Sequence, residues 1–78
     1  MDLHQLYDNF KDAVSGQNEP TAESLINNPA LPVNGFKGGH NNDKALIFWT
    51  IDYDQFKIMQ MLLERKDFSV NILDGYYG

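Results

Sequence analysis

Histidine is the residue type best suited to acid–base work or metal ligation near neutral pH, and the chain has two, His4 and His40. A zinc site draws three or four ligands together. His4 opens an amphipathic stretch and His40 lies in a glycine-rich one, so both read as solvated surface. Asp52 and Asp54 have the spacing that begins a calcium loop, but the glycine and closing glutamate of such a loop do not follow. Lys37-Gly38-Gly39 has the composition of a phosphate cradle without its GxxxxGK[ST] order. Ser15, Ser24 and Ser69 have no histidine at a spacing that suggests an activated nucleophile. Two of the many carboxylates could do acid–base work only if the fold brought them together; solvated helix faces are the simpler reading. No catalytic set, metal site or cofactor motif results, and the chain reads as a non-enzyme.

Binding chemistry is constrained by charge. Six basic against eleven acidic residues give a formal charge of −5, which repels nucleic-acid phosphates and acidic lipid headgroups. With no cysteine there is neither a disulfide framework nor a thiolate metal site, so a reducing, intracellular and cytoplasmic setting is expected. No apolar run approaches the roughly 20 residues of a membrane span. At 78 residues and 42% apolar content the chain makes one small domain, residues 1–78, with marginal stability.

These residues must be positioned by helices. Leu3, Leu6, Tyr7, Phe10, Ala13 and Val14 step by threes and fours along one helical face, with Asp2 as N-cap and Gln5 placed to complete a capping box. Gly16 is expected to close that helix in a left-handed conformation. Pro20 suits the first turn of a second helix, with Ala22, Leu25 and Ile26 on its apolar face and a stop at Asn28-Pro29. A turn-forming stretch from Asn34 to Asp43 then separates two units. Ala45 to Ile51 is a dense apolar run that, read alone, could also be a short buried strand. After a polar break at Asp52, Tyr53 and Asp54, apolar residues from Phe56 to Leu63 return at helical spacing.

The chain repeats itself. A shift of 37 positions lays Phe10 on Ile47, Val14 on Ile51, Ala22 on Met59, Leu25 on Leu62, Ile26 on Leu63 and Leu31 on Phe68 without a gap. Val33-Asn34 falls on Val70-Asn71, Gly38 on Gly75 and Ala13 on Thr50. Four helices in two antiparallel pairs follow, with Phe10, Val14, Leu25, Ile26, Ile51, Ile58, Leu62 and Leu63 in one core.

The stretch from Ala45 to Asn71 resembles an ankyrin repeat, through Phe56, Ile58, Leu62 and Leu63 and the closing Val70-Asn71. Leu46 stands where that family usually has proline, and the period exceeds the usual 33 or so by about four residues, in loop positions. The resemblance implies an all-α, helix-turn-helix repeat stack, an ankyrin-like solenoid. Repeat 1 covers about 2–38, as an atypical capping unit, and repeat 2 about 39–75. Two units are fewer than such stacks usually need. A longer array, of which this is the amino-terminal part, or self-association through the second unit is therefore expected, with Met59 or Met61 and parts of Trp49 and Phe56 on the outer face. An unrelated four-helix bundle would use the same apolar stripes.

The resemblance also implies a function: a scaffold or adaptor that binds another protein through hairpin tips and the first helix of each repeat. Carried over by position, the partner-binding residues are Asp52 and Tyr53, Ser15 and Gly16, Phe36, Lys37 and His40 between the units, and Tyr76 and Tyr77 after Asp74-Gly75. Phe36 serves equally well as cover for the neighbouring repeat. Divergent repeats rich in Asn and Asp resemble those of intracellular bacterial pathogens and large viruses, which implies a pathogen effector delivered into a host cell. The competing expectation is a small acidic inhibitor that mimics nucleic-acid charge.

Overall fold

A computed structural model describes residues 2–36 and 44–69. Its elements are α1 (Leu3–Ser15), α2 (Glu19–Ile26), α3 (Leu46–Asp52) and α4 (Phe56–Leu63), with no strand among the described residues. The Asp2 carboxylate accepts from the Gln5 N–H at 2.8 Å and caps α1. Asn18 caps α2 through Thr21, with Pro20 in the first turn, where its missing N–H leaves no bond unmade.

The run from Ala45 to Ile51 is helical, not a strand. Leu46, Ile47, Phe48 and Thr50 are all buried, so α3 is apolar on nearly every side and gives no clean helical period in sequence. It has no capping side chain either. Its first N–H, that of Leu46, instead donates to the Val33 carbonyl of the first unit at 3.0 Å.

The two hairpins close with the same backbone bonds. The N–H of Asn18 reaches the Ala13 carbonyl at 2.7 Å, and that of Gln55 reaches Thr50 at 2.8 Å. Gln17 to Val14 matches Asp54 to Ile51, and Leu31 to Asn28 matches Phe68 to Arg65. The bonds at the ends of α1 and α3 are Schellman closures, in which one residue takes a left-handed conformation. That residue is not Gly16, whose φ is −86°, but Gln17, with φ 57°; its counterpart Asp54 has φ 58°. The six-to-one bond from Asn18 puts the reversal one residue later than composition suggests. Gly16 matters sterically instead, since a Cβ there would lie 3.1 Å from the Asp12 carbonyl oxygen.

Within each unit the helices pair, α1 on α2 and α3 on α4; between units α1 packs on α3 and α2 on α4. In an up-and-down ring of four helices α2 would touch α3 and α4 would touch α1, and neither approach is made. The hairpins are therefore laid side by side, like element on like element. Their shared core includes Phe10, Val14, Ile26, Ile58 and Leu62, with Leu25 and Ile51 partly buried against it. Leu63 does not belong to it: the expected core residue is 43% exposed. Adjacent leucines on a helix point about 100° apart, and Leu62 takes the inward direction.

Candidate protein-binding surface

The first helices of the two units, α1 and α3, lie together, and their junction is built around Tyr7. Its ring is buried, and its hydroxyl donates to the Lys44 carbonyl while accepting from the Trp49 indole N–H at 2.8 Å. One phenol thus satisfies two polar groups of the second unit and fixes the indole. Trp49 lies at this junction, half-buried, and not on the outer face of the second unit.

Around the indole stand two cations and a second ring. The Lys44 Nζ is 4.2 Å from the ring centroid and the Lys11 Nζ 5.2 Å. Tyr53, one turn after Trp49 on the α3 side, stacks near it with centroids 6.5 Å apart and planes 17° from parallel. Tyr53 is 41% exposed. Lys44 also pairs with Asp52 at 2.6 Å, so the end of α3 is tied back to its start. Ordered rings with flanking charges form an amphipathic surface whose side chains have already lost much of their freedom.

The expected site residues do not form one cluster. Asp52 and Tyr53 belong to the surface just described. Ser15 and Gly16 sit at the end of α1, exposed, with the Ser15 hydroxyl donating to the Asp12 carbonyl. Gly16 also borders a shallow open depression of about 430 Å³ between α1 and α2, whose lining includes Asn9, Asp12, Thr21 and Leu25. Phe36 is at the other end of α1, half-buried, stacked on His4 at 4.0 Å and tilted against Tyr7 at 5.4 Å. It packs on the first unit more than it projects. Lys37, His40, Tyr76 and Tyr77, like the expected Val70-Asn71 closure, lie outside the described residues.

The sequence did not show that Lys11, Lys44 and Trp49 come together with Tyr53. Lys44 occupies the repeat position of Tyr7, where a lysine can lay its stem on apolar surface and lift its charge. Trp49 precedes Tyr53 by four residues, the spacing of neighbours on a helix. Both signals exist, but neither identifies the cross-hairpin bond to Tyr7.

The remaining electrostatics are structural. Lys57 of α4 reaches Glu19 at 2.8 Å and Glu23 at 3.4 Å, both on α2. Hydrogen bonding to Glu19 and then Glu23 raises its pKa above the usual lysine value. Among the described residues, no three His, Cys, Asp or Glu converge as a metal site would require, and no helix is long and apolar enough to cross a membrane. Comparison with protein-family models, with curated proteins and with solved structures returns no match.

Proposed function

We propose that the chain is a non-catalytic protein-interaction module, an ankyrin-type stack of helical hairpins that binds another protein through the α1–α3 surface around Trp49 and Tyr53. The observation that carries this reading is the stacked Trp49–Tyr53 pair flanked by Lys11, Lys44 and Asp52. Tryptophan and tyrosine held in place bind with large area at little entropic cost, and rim charges fix register and speed association. The side-by-side hairpins support it too, because α1 and α3 together offer an extended face of the kind repeat stacks use for binding.

The test is capture of protein partners by the intact chain and by its Tyr53→Ala and Lys11→Glu variants, each first checked for native helix content. A partner held by the native chain and lost from both variants supports the reading. Retention indifferent to both substitutions moves the interface elsewhere. Binding that collapses with added salt, unaffected by Tyr53→Ala, favours charge mimicry over an aromatic-centred contact.

A further inference from the structure

Lys44, Lys57 and Arg65 each lie within ion-pair distance of a carboxylate. Among the described residues Lys11 and Lys66 pair with none, and of these two only Lys11 is half-buried. Its ammonium stands 5.2 Å from the Trp49 ring centroid, beside an indole whose N–H is already given to Tyr7. The second cation at the indole, Lys44, has its charge met by Asp52 at 2.6 Å. The chain as a whole carries −5, yet Lys11 and Lys44 against Asp52 leave a positive charge unmatched at these rings.

The fold does not demand this arrangement. At the 37-residue offset Trp49 and Tyr53 correspond to Asp12 and Gly16, and the two hairpins close with the same backbone bonds. A hairpin of this form therefore closes without either ring. Tyr53 nonetheless stacks near Trp49 and keeps 41% of its surface exposed. Rings that the closure does not need, ordered beside a cation with no described carboxylate, make a surface with a definite charge preference.

We propose that the Trp49–Tyr53 surface takes an acidic segment of another protein, with an Asp or Glu side chain at the Lys11 ammonium and a neighbouring apolar side chain on the Tyr53 ring. This rests on the protein-binding reading above and names the chemistry of the partner. A lysine or arginine of a partner would bring a third cation to an indole that already has two. A carboxylate relieves that charge, and the positive edges of the rings favour it as well. The Lys11 ammonium is half-buried, so a pair formed there is screened less than one between fully exposed groups. Long-range repulsion between an acidic partner and a chain of −5 opposes the contact, and thereby rejects acids that do not reach Lys11.

The test selects a random peptide library, displayed on phage, against the intact chain, and titrates the enriched peptides by the fluorescence of Trp49, the single tryptophan. Enriched peptides carry Asp or Glu next to an apolar residue. Lys11→Met, which keeps an apolar stem, weakens them about tenfold or more, as the loss of one charge-assisted hydrogen bond should. Lys11→Glu weakens them further, and exchanging the peptide's acid for lysine restores binding to that variant. Asp52→Asn strengthens binding, because it frees the Lys44 charge as well. Each variant is first checked for native helix content; where Lys11→Glu fails that check, Lys11→Met and Asp52→Asn carry the test. Enriched peptides that lack acids but need Tyr53 overturn the acidic partner and leave the protein-binding surface standing. Peptides indifferent to both Lys11→Met and Tyr53→Ala remove both readings, as does a library that yields none. Weaker binding on Asp52→Asn would show a basic partner facing Asp52, and overturns the proposal. So does a stability loss from Lys11→Met that disappears in an Asp43→Asn or Asp74→Asn background, which would give Lys11 a carboxylate of its own chain.

Discussion

Trp49 and Tyr7 belong to different hairpins and share a hydrogen bond of 2.8 Å from the indole N–H to the phenol oxygen. The same hydroxyl donates to the Lys44 carbonyl. Tyr7→Phe keeps the ring and strands both partners, which should cost about 1–3 kcal/mol. Urea unfolding followed by the fluorescence of Trp49, the single tryptophan, reads this directly. An unchanged midpoint would mean that solvent replaces the hydroxyl without penalty.

Gln17 and Asp54 hold positive φ values that side chains other than glycine adopt at a steric cost. Gln17→Gly should therefore stabilise the chain by about 0.5–1 kcal/mol, and Asp54→Gly by less, since aspartate tolerates this region better. A β-branched residue at either position should destabilise. Thermal melts of the three variants rank them. Destabilisation by Gln17→Gly would show that the Gln17 side chain makes a contact worth more than the strain.

Arg65 donates to the carbonyls of Ile26, Asn28 and Pro29, and it is held in place by Asp67 at 2.7 Å. It thereby joins the end of α4 to backbone carbonyls at and just beyond the end of α2. Arg65→Met should cost about 2–3 kcal/mol, as expected for charge-assisted bonds in a half-buried setting. Arg65→Lys should recover less than half, because a single ammonium cannot span three acceptors as a planar fork does. Equal stability of the Lys variant and the native chain would reduce Arg65 to a simple charge.

Lys57 has its pKa raised by the hydrogen bonds to Glu19 and Glu23. A raised value in the folded state means that the contribution is fully present below the unfolded lysine pKa and is lost as pH climbs through the folded one. The Lys57 side chain is mostly exposed, so the effect is small and screened by salt. Lys57→Met should remove part of the stability lost above pH 10.5, the ordinary lysine pKa, and most clearly at low ionic strength. Identical alkaline unfolding profiles for the variant and the native chain would argue against the clamp.

Leu62 is fully buried and Leu63 is 43% exposed. Leu62→Ala should cost about 2–5 kcal/mol and Leu63→Ala less than about 1 kcal/mol. Comparable losses at the two positions would place Leu63 beneath cover.

The four helices were legible because their apolar residues recur at three and four positions, with Asp2 and Asn18 at the caps and Pro20 in a first turn, and local physics is enough to read these. The 37-residue repeat was legible for the same reason, since equal positions in a packed unit need equal side-chain character. The backbone bonds of the two hairpins follow that offset from Gly16 to Leu31 and from Tyr53 to Phe68. α3 was ambiguous between helix and strand because burial on several sides erases periodicity, and only its contacts with α1 and α4 resolve it.

What only the tertiary structure decided is which apolar residues are covered and which polar ones converge. Sequence alone shows Leu62 and Leu63 as equals, and their difference comes from the single direction in which the other unit lies. Sequence also separates Tyr7 from Trp49 by 42 residues, more than one unit, and a hydrogen bond between them needs the two hairpins in register. Asp52 and Tyr53 are singled out by position in the repeat, whereas Lys11 lies near them only because α1 lies beside α3. Local spacing determines the elements; long-range packing determines the surface, because its residues meet across a gap that no periodicity encodes.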